Sequence, residues 1–197
     1  MVYNNPGPSF MLGIACRRVV MFKDEITVID NVLTAEECDE LIRFYESCSI
    51  LPGAGYNYVF KTVVSRHDRQ PYNEYIKSIL TKVLSPINEN YLVQRAQIEC
   101  RSPNTEHVAH NDERAGPFGS FTTVLYLNDS YTGGNTYIET EELVNIEPKR
   151  GRMVGFNGHN LKHGVSMIRK DYRYTLSIWY VLKPADYPKS AVWWLKC

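Results

Sequence analysis

The stretch with the clearest capacity for chemistry is His110-Asn111-Asp112. An imidazole and a carboxylate two positions apart point the same way on an extended segment, so both can reach one metal ion. Two imidazoles and one carboxylate on one face of an octahedron leave the remaining positions open. That is the arrangement suited to a non-haem Fe(II) that must also admit other molecules. The third ligand has to come from elsewhere in the chain, and His163, followed by Gly164-Val165, is the candidate.

Ten residues beyond His163, Arg173 opens the run Arg173-Tyr174-Thr175-Leu176-Ser177-Ile178-Trp179-Tyr180. β-branched and aromatic residues dominate it, without Gly or Pro, so it reads as a strand. The period of two puts Arg173, Thr175, Ser177 and Trp179 on one face, and Tyr172, Tyr174, Leu176, Ile178 and Tyr180 on the other. An Arg beside a Thr hydroxyl makes a pocket for one carboxylate, since the guanidinium fork grips two oxygens and the hydroxyl donates once more.

Taken in order, His110-x-Asp112, Tyr126-Leu127-Asn128, Gly133-Gly134-Asn135-Thr136, His163 and Arg173 resemble the Fe(II)/2-oxoglutarate-dependent dioxygenases, and among them the prolyl-4-hydroxylase-like branch. The likeness covers residues 26–180. It implies Fe(II) held by His110, Asp112 and His163. It also implies 2-oxoglutarate as co-substrate, with its 5-carboxylate on Arg173, Thr175 and Tyr126. O2 is the second co-substrate and ascorbate an accessory. The implied reaction is hydroxylation of a C–H bond, with a prolyl residue of a peptide or protein as the favoured target. Two alternatives stand beside it: a hydroxylase of a free amino acid or other small metabolite, and a jelly roll that binds a ligand without catalysis. Asp112 argues against a halogenase, because a halide would need the carboxylate's place. His159 lies fourteen residues before Arg173, outside the family spacing. His107 is an odd number of positions from His110, so on a strand it should face the opposite side. His67 falls in an irregular segment. These three are expected in structural or substrate-side roles.

The chain also departs from the family pattern. Where the family often reads Tyr-x-Pro-Gly, this sequence has Arg101-Ser102-Pro103-Asn104, so Arg101 replaces the usual Tyr. Arg173 stands where collagen-type prolyl 4-hydroxylases usually have Lys and the oxygen-sensing ones Arg. Arg101, with Tyr56, Tyr58 and Arg66 from the segment that lines the substrate entrance in this branch, is expected on the substrate side.

The elements that must position these residues follow from composition and periodicity. A chain of 197 residues, 44% of them hydrophobic, suits one domain with a sizeable core. A formal net charge of zero offers no polyanion-binding surface, so nucleic acid is not an expected partner. Five scattered Cys without a Cys-x-x-Cys pair suggest reduced thiols. With no apolar run of membrane-spanning length and a poor signal-peptide pattern, a cytoplasmic location is expected. The sequence does not fix an oligomeric state.

Two short strands are expected across 19–30. A helix should follow Thr34-Ala35-Glu36-Glu37, whose spacing is that of a capping box, with Cys38, Leu41, Ile42 and Tyr45 on its buried face. Leu51 to Gln70 reads as a loop or short hairpin. A second helix is predicted over 71–84, opened by Pro71 and burying Ile76, Ile79, Leu80, Val83 and Ile87. From Tyr91 onward the period is two, with strands predicted at 91–101, 108–112, 121–127, 134–138, 143–146, 152–156, 160–163 and 172–181. Many short strands between Gly- and Pro-marked turns indicate a sandwich or jelly roll. The expected fold is therefore mainly β with flanking helices (α+β). The resemblance makes its core a double-stranded β-helix. The single domain 1–197 divides into supporting strands and helices at 19–88, a jelly-roll core at 91–181 and a tail at 182–197. Residues 111–120 are a candidate flap beside the metal. Trp193-Trp194 in the tail would pack on the domain.

Overall fold

In a computed structural model, the structure describes residues 19–22, 26–47, 58–64, 74–84, 86–87, 91–112 and 121–182. Among the described residues no helix is long and apolar enough to cross a membrane. The sites at Tyr56, Arg66 and His67, most of the 111–120 flap and the tail with its two Trp lie outside the described residues. So do the predicted helix-opening Pro71 and the side chain of Tyr58.

Helix α1 (Ala35–Ser47) begins where the sequence places its cap. Thr34 N–H donates to Glu37 Oε2 at 2.7 Å, and Glu37 N–H donates to Thr34 Oγ1 at 3.2 Å, so two otherwise orphaned groups are satisfied. Helix α2 (Glu74–Leu84) falls within the predicted span, whose first residues, 71–73, lie outside the described residues. Lys82 Nζ ties the helices together by reaching Glu37 Oε2 at 2.6 Å. Cys38, Leu41 and Tyr45 from α1 join Ile76, Ile79, Leu80 and Val83 from α2 in one buried cluster with Ala96, Ile98, Leu125, Leu176 and Ile178. Both helices thus cover one face of a sheet, as expected.

That sheet has seven strands: β1 (Val19–Phe22), β2 (Ile26–Ile29), β3 (Tyr58–Val64), β4 (Tyr91–Arg101), β6 (Phe121–Tyr126), β10 (Met153–Phe156) and β13 (Arg173–Leu182). Their order is β1-β2-β10-β6-β13-β4-β3. A four-stranded sheet, in the order β5-β11-β8-β9, comprises β5 (His107–His110), β8 (Thr136–Glu139), β9 (Leu143–Ile146) and β11 (His163–Val165). Ile26, Val28, Tyr126, Val154 and Phe156 from the first sheet pack with Ile138 and Ile146 from the second. A third, two-stranded pair joins β7 (Thr132–Gly133) to β12 (Ile168–Lys170).

The segment expected as a loop or short hairpin contains β3, whose Val59-Phe60-Lys61-Thr62 run pairs with β4 at the sheet edge; its β-branched and aromatic residues favour the pleat. Two sequence expectations change. The strand expected across 134–138 begins only at Thr136, after the positive φ of Gly134. The strand expected at 160–163 starts at His163, because 157–161 is a turn in which Asn157 O accepts from Leu161 N–H at 2.9 Å.

The turn before β10 is fixed to the N-terminal strands. Gly151 has φ +77 and its carbonyl accepts from Val32 N–H at 2.9 Å; an added Cβ would meet the Leu33 carbonyl. Beside it, buried Asp30 accepts from Arg152 Nε at 2.7 Å and from Lys149 Nζ at 2.9 Å. The Arg152 hydrogen bond, against an opposing cost of burial, and then Lys149 hold its carboxyl below the usual range. A carboxyl lowered in the folded state stabilises above its unfolded pKa and stops doing so as pH falls through the folded value. Asp30→Asn should therefore cost about 1–3 kcal/mol at neutral pH, and the deficit against the parent should shrink in urea unfolding below about pH 4. An unchanged deficit in acid would contradict the assignment.

Candidate metal centre

The register of the four-stranded sheet brings distant histidines together. In the β5–β11 pair, His110 lies opposite His163, and their ring centroids are 4.5 Å apart. Asp112 sits just past β5, anchored by its N–H to Gly158 O at 2.8 Å. Its Oδ1 lies 3.6 Å from His163 Nε2 and 4.0 Å from His110 Nε2. One ligating atom from each residue falls within 4.8 Å of the others, a spacing that could hold a metal ion.

The surroundings prepare these groups as ligands. His110 Nδ1 meets Val108 O at 3.1 Å and His163 Nδ1 meets Leu161 O at 3.0 Å. A carbonyl only accepts, so each Nδ1 carries the proton and each Nε2 lone pair is free toward Asp112. Thr122 Oγ1 donates to Asp112 Oδ2 at 2.5 Å, and the Trp179 side chain hydrogen-bonds the same carboxylate. Burial would raise the Asp112 pKa, but the His163 side chain beside it and the Thr122 hydrogen bond outweigh it and bring the carboxyl down to about 2. The donor set, its tautomers and its supporting hydrogen bonds fit a divalent ion with open positions.

Gly158 is required by this packing. A Cβ there would overlap the Asp112 carboxylate and come within 2.6 Å of Thr122 Oγ1.

The same cleft is lined by Arg173, Thr136, Ser177 and Trp179. Arg173 is 2% exposed. Its Nε donates to Gly134 O at 3.1 Å, Nη1 to Thr175 Oγ1 at 3.3 Å and Nη2 to Thr136 Oγ1 at 3.3 Å. The Tyr126 ring lies 5.4 Å from the guanidinium carbon, and its hydroxyl donates to Thr136 Oγ1 at 2.7 Å. Every one of these acceptors is neutral. Among the described residues no carboxylate is ion-paired with Arg173. A buried cation without a countercharge is costly, and an anion entering the cleft would remove that cost.

Arg101 is buried, ion-paired with Glu99. It stands opposite Arg173 in the β4–β13 register and bonds His107 Nδ1 at 3.1 Å. His107 itself corrects an expectation. It lines the cleft, and its ring centroid is 4.2 Å from that of His110. The cause is a register shift: His107 to His110 spans three steps on β5, against two from Val165 to His163 on β11. An irregular strand does not keep the period of two. Burial, and then the Arg101 charge, hold His107 neutral, with its pKa down at about 4. His159 stays outside the triad, its Nδ1 3.5 Å from Asp112 O. Sequence reasoning did not single out Thr122, Gly158 or His107 for the site. Thr122 had a visible signal, the inward alternation of β6; Gly158 and the irregular strand had none.

Residues 96–181 match the family model of the 2OG-Fe(II) oxygenase superfamily. In sequence, the chain is 27% identical to prolyl 3-hydroxylase 1 of Gallus gallus, over 84% of this chain and 30% of that protein. The chain thus spans about a third of the length of this relative. In fold, it is similar to a 2OG-Fe(II) oxygenase family oxidoreductase from Burkholderia pseudomallei (TM-score 0.66, 15% identity, 81% of this chain and 86% of the other). It is also similar to a Trichoplax adhaerens prolyl hydroxylase solved with a hypoxia inducible factor peptide fragment (TM-score 0.63, 18% identity, 81% and 84%). The resemblance read from the sequence therefore holds: residues 96–181 match the 2OG-Fe(II) oxygenase superfamily, and prolyl hydroxylases are among the proteins to which the chain is similar. Fe(II) and 2-oxoglutarate are the cofactors that go with it.

Thr122→Val and Gly158→Ala should each weaken divalent-metal binding about 10- to 100-fold, with the far-UV circular dichroism of the parent. Parent-like Mn(II) affinity in both would show that the supporting contacts do not position Asp112.

Proposed function

We propose that this chain hydroxylates a C–H bond with Fe(II), 2-oxoglutarate and O2, and that the target is a prolyl residue in a peptide or protein. One observation carries the reading: a His-Asp-His cluster shares a cleft with a buried arginine that, among the described residues, is ion-paired with no carboxylate. Such a cleft suits a dicarboxylate with one end at the metal and the other on Arg173. We read the seven- and four-stranded sheets as the two halves of a double-stranded β-helix, within one domain spanning the chain.

In this assignment His110, Asp112 and His163 hold the iron. When bound, the iron supplies oxygen activation, coupled to conversion of 2-oxoglutarate to succinate and CO2. Arg173, with Thr175 and the Thr136–Tyr126 brace, orients the far carboxylate of the co-substrate. Trp179 and Thr122 keep Asp112 ionised and in place. Val124 and Val165, which line the cleft, limit water around the reacting groups.

The peptidyl target is supported by the likeness to prolyl hydroxylases, one of them solved with a peptide. A free amino acid or small metabolite is the rival within the same chemistry. Arg101, buried beside the cleft with Glu99 and His107, fits the wall of the co-substrate chamber better than an entrance.

His110→Ala and Asp112→Ala should abolish iron-dependent succinate formation. Arg173→Ala should leave metal binding intact and weaken 2-oxoglutarate about 30-fold or more, the effect of losing one partner of a buried charged contact. Mass spectrometry of proline-containing peptides and of a metabolite panel should show the oxygen gain on a prolyl residue. Parent-like 2-oxoglutarate affinity in Arg173→Ala would refute the clamp, and turnover confined to a metabolite would refute the peptidyl target.

A further inference from the structure

We infer that His107 is a further co-substrate-binding residue, whose Nε2–H donates to a carboxylate oxygen of the dicarboxylate lying between the metal cluster and Arg173. The inference rests on the 2-oxoglutarate reading and adds a further protein group to it.

The first argument is position. His163 lies opposite Ile138, and Val165 lies opposite Thr136. Thr136 is the residue that bonds both Arg173 and Tyr126. His107 lies opposite Val165 on the other side of β11. Along β11, then, His163 marks the metal level and Val165 the Arg173 level, with His107 abreast of the latter and its ring reaching back to His110. A molecule joining the metal to Arg173 must pass that ring, which lines the cleft.

The second argument is tautomer. Arg101 Nη2 contacts His107 Nδ1 at 3.1 Å, and a guanidinium only donates. Nδ1 is therefore the acceptor and the imidazole proton sits on Nε2. This is the reverse of His110 and His163, whose Nδ1 atoms donate to carbonyls and whose Nε2 atoms are left as ligands. Of the three rings that meet here, two are prepared to bind a cation and the third to donate to an anion's oxygen. Arg101 is itself held by Glu99, which keeps the donor in place.

The third argument is backbone fixation. The His107 carbonyl accepts from Tyr137 Oη at 3.2 Å, and Gly164 allows the close approach, since a Cβ there would overlap both that carbonyl and the Tyr137 hydroxyl. The irregular register that turns His107 inward is thus built in.

The test compares the parent with His107→Phe, which keeps the ring and loses the donor, and His107→Gln, which restores an N–H. Mn(II) is titrated first, then 2-oxoglutarate into the Mn(II)-loaded full chain by calorimetry. His107→Phe should bind 2-oxoglutarate about tenfold more weakly or worse. His107→Gln should recover most of that loss, and both should bind Mn(II) like the parent. Parent-like 2-oxoglutarate binding by His107→Phe, with Arg173→Ala impaired, would overturn the inference and leave the co-substrate reading standing. An equal loss of Mn(II) affinity in both His107 variants would reduce His107 to a prop for His110. A parent that takes up Mn(II) but not 2-oxoglutarate would overturn the co-substrate reading and this inference with it.

Discussion

The antiparallel pairing of β5 with β11 is the constraint on which the rest depends. Its register sets His110 opposite His163, and no local feature of either segment could bring those rings to 4.5 Å. Asp112 joins them because its backbone is tied to Gly158, in the turn that leads into β11. A register slip of one residue would reverse the faces of the strand and scatter the cluster.

The seven-stranded sheet supplies the second half of the cleft. Alternate residues of β4 and β13 divide into two populations. Ala96, Ile98, Leu176 and Ile178 pack against the helices. Gln97, Glu99, Arg101, Arg173, Thr175 and Ser177 are also buried, yet polar or charged. Burying that many polar groups without a purpose would be costly. Here the Arg101 charge is met by Glu99, while Arg173 donates to a carbonyl and two hydroxyls and, among the described residues, is ion-paired with no carboxylate. The difference between two arginines in register with each other marks where a ligand's negative charge is wanted.

Much of this was legible in the sequence because it rests on local rules. The Thr34–Glu37 cap, the apolar stripes of both helices and the inward face Arg173-Thr175-Ser177 follow from spacing alone, and the structure reproduces them. The grouping of His110, Asp112 and His163 was legible only through the ordered motif set, since pairing across fifty residues leaves no local trace. His107 was misplaced because the parity rule assumes a regular ladder, which the β5–β11 shift breaks. Strand β3 was left open between a loop and a short hairpin because Gly53, Gly55 and the polar residues around them mask a short β-prone run at a sheet edge. Thr122 and Gly158 matter through side-chain contacts that exist only once β6 and the 157–161 turn meet Asp112.

The central claim is that His110, Asp112 and His163 bind one Fe(II) that a 2-oxo acid can then chelate. Its most direct test is the visible charge-transfer absorption formed when Fe(II) and 2-oxoglutarate are added anaerobically to the chain. The account predicts a band in the parent that is lost in His163→Ala. A parent without the band, or a His163→Ala variant that keeps it, would contradict the claim.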